Sequence, residues 1–217
     1  MKQLTHSSSL EQMIQQQIVE RGIEDARVID AMRQIPRELF LPESLRQYAH
    51  ADRAAPVGYG QTISQPYIVA LMSHRLDIRP EHRVLEIGTG TGYQTAILSL
   101  LAREVWTIER IKPLLDEAFE RLMSLNLRNV HFRWGDGTIG WMENAPFDRV
   151  LIAAGAPDLP RELLRSQLAD GGVAVLPIGP QEQQMLVEVR RHGEDLIRRD
   201  ICGCRFVKLI GEAGWSE

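Results

Sequence analysis

"VLEIGTGTGYQT", residues 84–95, decides the fold. Val84, Leu85 and Ile87 read as a buried strand, which runs straight into Gly88, Gly90 and Gly92, and a helix opens at once with "GYQTAILSLLA". Glycines let a backbone turn tightly and bring a ligand close to a helix N-terminus. The spacing is G-x-G-x-G, whereas a dinucleotide site wants G-x-G-x-x-G to cradle a pyrophosphate. Glu86, two residues before the first glycine, adds an anion that repels phosphate and favours an amino or sulfonium group.

Outward from this turn, strands and helices alternate. "EVWTIE" reads as a second strand, "IKPLLDEAFERLMSLNL" as an amphipathic helix, "VHFRW" as a third strand and "FDRVLIAAG" as a fourth. "PRELLRSQLADGG" reads as a helix ended by glycines and "GVAVLPIG" as a fifth strand. The alternation predicts a Rossmann-like, doubly wound α/β fold with a mainly parallel sheet. The tail differs: "VEVRRHGEDLIRRDI" fits two antiparallel strands about a His192-Gly193 turn. Ahead of the core, Leu10 to Gly22 and "EDARVIDAMRQIP" carry helical spacing, the first closing on a C-cap glycine and the second stopping at Pro36. Another helix is expected from roughly Pro66 to Leu76. One domain is expected over 1–217: a helical lead-in to residue 60, a cofactor-binding core over 61–180, and a hairpin and tail over 181–217.

Three strand ends carry acids. Besides Glu86, the second strand ends at Glu109, where a carboxylate accepts both hydroxyls of a ribose in nucleotide-binding α/β folds. Its bland alternative is a surface glutamate that starts a helix. After the third strand, "WGDG" places Asp136 and Gly137 where such folds hold an adenine amino group, although the dipeptide is also a common turn. A nucleoside with no phosphate and a cationic tail fits this edge best, namely S-adenosylmethionine.

The stretch "GYGQTISQP", residues 58–66, offers hydroxyls, amides and glycines but no carboxylate, histidine or cysteine. With "GQTISQPYIVA", "RVLEIGTGTGYQTAIL", "GDG", "APFDRVLIAA" and the late "RFVKL" in this order, the chain resembles the protein-L-isoaspartate O-methyltransferases, class I methyltransferases, over nearly its whole length. The resemblance implies methyl transfer from S-adenosylmethionine, leaving S-adenosylhomocysteine, to the free α-carboxylate of isoaspartyl residues in damaged proteins. It places Ser64 as the active-site residue, Thr62 and Ile63 beside the cofactor, and Glu86, Gly88, Gly90, Gly92, Glu109, Arg110, Asp136 and Gly137 on the cofactor. A carboxylate acceptor has a pKa near 4 and attacks without a general base, so a baseless loop suits it. Thr62 or Ser64 as a cap of the helix near Pro66 is the structural alternative. The tail departs from the family pattern: Lys208 stands where a proline is common and Ile210 where some members have threonine. No cofactor residue is therefore expected there.

Composition sets the outer bounds. With 25 basic and 29 acidic residues, the net charge of −4 gives no footprint for a phosphate backbone, and no nucleic-acid partner is expected. No segment has the apolar length of a signal peptide or a membrane span. Cys202 and Cys204 are too close for a disulfide framework, and the six histidines lack metal-ligand spacing. A cytoplasmic monomer without metal is expected. Rival readings are a nicotinamide dehydrogenase, a small-molecule or nucleic-acid methyltransferase, and an inactive interaction module on the same fold.

Overall fold

The computed structural model describes residues 9–216; the start of the expected lead-in, before residue 9, and Glu217 lie outside them. A first helix, α1, covers 9–21, widening to π geometry over Ile14–Ile18 and tightening to a 3-10 turn over Val19–Arg21. Gly22 ends it in the left-handed conformation expected of the cap, with φ of +85°. Helix α2 (Ala26–Gln34) starts on Asp25, whose carboxylate accepts the Arg27 amide. Short 3-10 turns, Arg37–Phe40 and Glu43–Tyr48, complete the lead-in.

The stretch read as a loop is a small antiparallel hairpin, β1 (Ala55–Gly58) and β2 (Gln61–Ile63). Its turn places Tyr59, a non-glycine, at φ of +53° between two glycines that are also left-handed. Helix α3 (Pro66–Arg75) follows. The core then runs β3 (Arg83–Ile87), α4 (Tyr93–Leu101), β4 (Glu104–Glu109), α5 (Lys112–Ser124), β5 (Val130–Trp134), β6 (Phe147–Ile152), α6 (Arg161–Gln167), β7 (Leu168–Ile178), β8 (Gln184–His192) and β9 (Asp195–Cys204). Seven strands form one sheet in the order β5-β4-β3-β6-β7-β8-β9. Pairing is parallel from β5 to β7 and antiparallel for β7–β8 and β8–β9.

One boundary differs from the sequence reading. The sixth helix stops at Gln167 instead of continuing to the glycines, because Leu168 pairs with Phe147 and opens β7. A register shift between Phe147 and Arg149 takes up the extra residues, and Gly171, at φ of +72°, lies within this irregular stretch. The expected hairpin about His192-Gly193 is present: His192 pairs with Asp195 across a left-handed Gly193.

Alternation along β3 divides the core. Val84 belongs to a cluster with Met32, Leu76 and Ile97 from the helices on one face. Leu85 and Ile87 belong to a cluster with Trp106, Phe147 and Leu164 on the other. A strand buried on both faces carries little polar alternation, which is why "VLEI" reads as an apolar run. From β3 the chain adds β4 and β5 on one side, then crosses back to add β6 and β7 on the other, so the strand order reverses there. Open α/β sheets bind ligands at such a reversal, outside the carboxyl ends of the strands. Among the described residues no helix is long and apolar enough to cross a membrane.

Candidate active site

A cavity of about 320 Å³ opens at that reversal, within the range of small-molecule sites. The glycine turn forms part of its wall. Gly88, Gly90 and Gly92 take φ of +96°, +55° and +88°, a region that side-chain-bearing residues rarely enter. The Gly88 amide donates to the Ile108 carbonyl at 2.8 Å, tying the turn to β4. Glu109, 6% exposed, lines the cavity with both oxygens held in place: Oε2 accepts the Gly90 amide at 2.9 Å and Oε1 the Ile111 amide at 3.0 Å. Each oxygen keeps a lone pair for a further donor. Arg110 and Gly137 also line the cavity. A Cβ on Gly137 would stand 2.3 Å from Ile87 Cγ2, so only glycine fits against β3 there.

Gly92 does not line the cavity. Its missing side chain serves α5: a Cβ would stand 2.5 Å from Leu122 Cδ1 and 3.3 Å from Ala118 Cβ. Gly92→Ala is therefore expected to cost about 2 kcal/mol, since a left-handed non-glycine residue alone costs roughly 1–2 kcal/mol and Leu122 must give way. Urea unfolding measures it, and an unchanged midpoint would contradict the packing account.

Two expected ligand carboxylates are placed elsewhere. Glu86 is fully buried and lies off the cavity wall. It pairs with Thr107 across β3–β4, and its Oε2 accepts the hydroxyls of Thr95 at 2.5 Å and Thr107 at 2.7 Å. Thr107 in turn meets Thr89 of the glycine turn at 2.7 Å. Glu86 thus belongs to a hydrogen-bonded chain beneath the turn, covered by α4. Asp136 is also off the cavity wall and faces the tail. Its carboxylate accepts the Thr138 amide and hydroxyl, at 2.8 and 2.7 Å, and the Glu212 amide at 2.7 Å. Burial tends to raise its pKa, but these bonds outweigh it and hold the carboxyl below the ordinary range.

Thr62, Ile63 and Ser64 line the cavity from the opposite side. The N-cap of α3 is Gln65, which makes no side-chain capping bond, and Pro66 starts the helix, so neither Thr62 nor Ser64 is the cap. The Ser64 carbonyl accepts Arg37 Nη2 at 2.7 Å. Beyond Ser64 lies a second groove of about 250 Å³, walled by Gln65, Ile68 and the segment Gly203–Val207. Thr62, Ser64, Ala153 and Val207 line both spaces and so form the partition between them.

The tail, where no cofactor residue is expected, reaches the cavity: Val207, Lys208, Leu209 and Ile210 all line it. Backbone bonds bring them there: Gly155 N donates to Val207 O at 2.7 Å, and Leu209 N donates to Gly155 O at 2.9 Å. The late "RFVKL" was the available signal, and its departure from the family's proline hid it. Cys202 and Cys204 sit in β9, half-buried against the helical face of the core. Burial pushes the Cys204 thiol up to about 12.

A sheet of this order, with a glycine turn and a buried carboxylate opening on one cavity at the reversal, is the architecture of the class I S-adenosylmethionine-dependent methyltransferases. Comparison with known proteins narrows the class. The family described as protein-L-isoaspartate(D-aspartate) O-methyltransferase matches residues 8–214, and the chain belongs to this family. A relative from Geotalea uraniireducens (strain Rf4), named protein-L-isoaspartate O-methyltransferase 2, is 52% identical over 94% of each chain. One from Dictyoglomus thermophilum, named protein-L-isoaspartate O-methyltransferase, is 49% identical over 91% of this chain and 90% of its own. A solved structure of a putative Plasmodium falciparum member, in complex with S-adenosyl-L-homocysteine, is similar at a TM-score of 0.80 and 26% identity, covering 94% of this chain and 98% of that one.

Proposed function

We propose that this chain transfers a methyl group from S-adenosylmethionine to the free α-carboxylate of L-isoaspartyl residues in damaged peptides and proteins. The ester then closes to a succinimide, which hydrolyses in part to normal aspartate. The observation that carries the reading is the partition: two spaces, one at the glycine turn and one bordered by Gln65, Ile68 and the segment Gly203–Val207, share the wall made by Thr62, Ser64, Ala153 and Val207. A donor and an acceptor held on either side of such a wall meet at Ser64.

The residues present fit the donor. Glu109, braced by two amides, takes the ribose hydroxyls, with Arg110 and Gly137 toward the adenine and Gly88 and Gly90 along the amino-acid end. Thr62 and Ile63 cover the donor from the hairpin side. Gly92, Glu86 and Asp136 support this surface from behind, through α5, Thr107 and the tail. When bound, S-adenosylmethionine supplies an electrophilic methyl on a sulfonium and leaves as S-adenosylhomocysteine. The chain's task is to align an acceptor that is already ionised at neutral pH. No side chain has to remove a proton, and positioning carries the rate. Ser64 has no hydrogen-bonded partner for its hydroxyl among the described residues, so that hydroxyl is available to orient the acceptor carboxylate.

The reading includes a monomer of one domain acting in the cytoplasm without a nucleic-acid partner. The net charge of −4 and the two free thiols support it. The experiment is methyl-labelled cofactor with matched isoaspartyl and aspartyl peptides, where base-labile label is expected in the first only. Ser64→Ala is expected to lower turnover on the order of a hundredfold, the scale of losing one positioned donor, with cofactor affinity within about threefold of wild type. Parallel loss of both would make Ser64 a structural residue.

A further inference from the structure

The wall between the two spaces continues into a segment that carries two cations, Arg205 and Lys208. Residues 203–210 run past the surface groove and then past the donor cavity. The segment is fixed at several points: Phe206 N donates to Gln184 Oε1 at 2.7 Å, Leu209 is bonded to Gly155, and Trp215 N donates to Leu209 O at 2.8 Å. Arg205, exposed, is the only charged side chain lining the groove among the described residues. Lys208 follows three residues later, its ammonium 5.7 Å from the centre of the Trp215 ring. Neither cation forms an ion pair with a described residue, although the chain as a whole is acidic. Asp52, which accepts the amide of the groove residue Gln65, is itself paired with Arg21. Unpaired cations on a rigid segment beside an acceptor site attract anions from solution, and their effect fades with salt.

We propose that Arg205 and Lys208 set acceptor specificity, favouring isoaspartyl residues that carry a second carboxylate close by. The inference rests on the reading of the site given above. One negative charge satisfies the reaction itself, because the α-carboxylate is consumed at Ser64. A second carboxylate, from an acidic neighbour or from a nearby chain terminus, meets Arg205 in the groove, and Lys208, on the donor-cavity side of the same segment, adds to the positive field.

The test uses the full chain and isoaspartyl peptides of one sequence in four forms: neutral flanks, an acidic neighbour, a basic neighbour, and neutral flanks with a free rather than amidated C-terminus. kcat/KM is read with labelled cofactor at low and high ionic strength. Wild type is expected to favour the acidic form over the neutral one about tenfold at low salt, as charge pairs at a solvated surface allow, and less than threefold in half-molar salt, an ionic strength of about 0.5 M. The free-terminus peptide shows whether a chain-end carboxylate serves as well as a side chain, and a preference for either form supports the proposal. Arg205→Gln and Lys208→Gln should each reduce the acidic-to-neutral ratio about threefold, and Arg205→Glu should invert it. Because the ratio is taken within each variant, a general loss of activity does not disguise the result. Methylation with a flat ratio in wild type, or a ratio unmoved in the variants, overturns this inference alone. A chain that binds cofactor but methylates none of the peptides overturns the reading of the site and this inference with it.

Discussion

Arg37→Met is expected to lower the melting temperature by on the order of 10 °C and to lower kcat while the chain still binds cofactor. Arg37 is 2% exposed, at the start of a 3-10 turn in the lead-in. Its Nε donates to the Ala49 carbonyl at 2.9 Å and its Nη2 to the Ser64 carbonyl at 2.7 Å. The guanidinium also lies 4.9 Å from the centre of the Tyr93 ring, and Tyr93 lines the donor cavity. Burial draws the guanidinium pKa down to about 10 and raises the phenol to about 12, so at neutral pH the first is charged and the second neutral. One side chain therefore joins the lead-in, the Ser64 corner and the first residue of α4.

Methionine fills similar space but donates nothing, leaving two carbonyls unpaired at roughly 1–3 kcal/mol each. Relief of the buried charge offsets part of this, for a net loss of about 3 kcal/mol. In a chain of this size each kcal/mol moves the melting temperature by about 2–4 °C. The Ser64 corner then loses its anchor, and turnover falls with the alignment of the acceptor. Arg37→Lys keeps the charge without the two-way fork and should lie between. Calorimetry and steady-state kinetics decide the matter: a methionine variant melting within 2 °C of wild type, with unchanged kcat, would remove Arg37 from the site's support.

The sequence carried the strand-turn-helix unit and the tail hairpin clearly, because both depend on local rules. Glycines at 88, 90 and 92 sit where backbone dihedrals exclude other residues, and Gly193 marks a two-residue turn. The β1–β2 hairpin leaves no clear sequence pattern, since its strands are short and its turn forces Tyr59, rather than a glycine alone, into the left-handed region. The sixth helix was overrun because Leu163, Leu164 and Leu168 keep helical spacing, while Leu168 is buried by pairing with Phe147. Within the site, type and position along the chain identified Glu109, Thr62, Ile63 and Ser64 as cavity-facing. The same logic does not place Glu86 and Asp136, which stand off the wall of the donor cavity, since spacing reports that an acid stands near a strand end and not which face it takes. Arg37 gave no signal at all. Its partners are backbone carbonyls 12 and 27 residues away, which no pattern of side chains records.

Glu86→Gln is expected to change how stability responds to pH while leaving neutral-pH methyl transfer largely intact. Complete burial is the main cause that pushes the Glu86 carboxyl up to about 8; the Thr95 and Thr107 hydroxyls pull against it, and the charge of Glu109 adds to it. The folded chain therefore keeps this proton through a range in which the unfolded chain has lost it. Between pH 4.5 and about 8 the folded state binds more protons, so this group makes stability fall as pH rises. Burial of this carboxyl thus costs up to on the order of 4–5 kcal/mol by the upper end of the window.

Glutamine copies the shape of the protonated acid and accepts the same threonine hydroxyls, but does not titrate. Its amide nitrogen takes the place of Oε1, which has no partner among the described residues, at a pH-independent cost of about 1–3 kcal/mol. The variant should accordingly be no more stable than wild type near pH 5 and more stable by pH 8, so that the two stability curves cross. Denaturant unfolding at half-unit pH steps reads this directly, and curves that stay parallel would show that Glu86 is ionised in the folded chain. Cofactor titration on the same samples separates two roles. A carboxylate touching the donor's cationic end would lose at least tenfold in affinity on becoming an amide, whereas a residue that acts through Thr107 and Thr89 on the glycine turn should change it by less than about threefold.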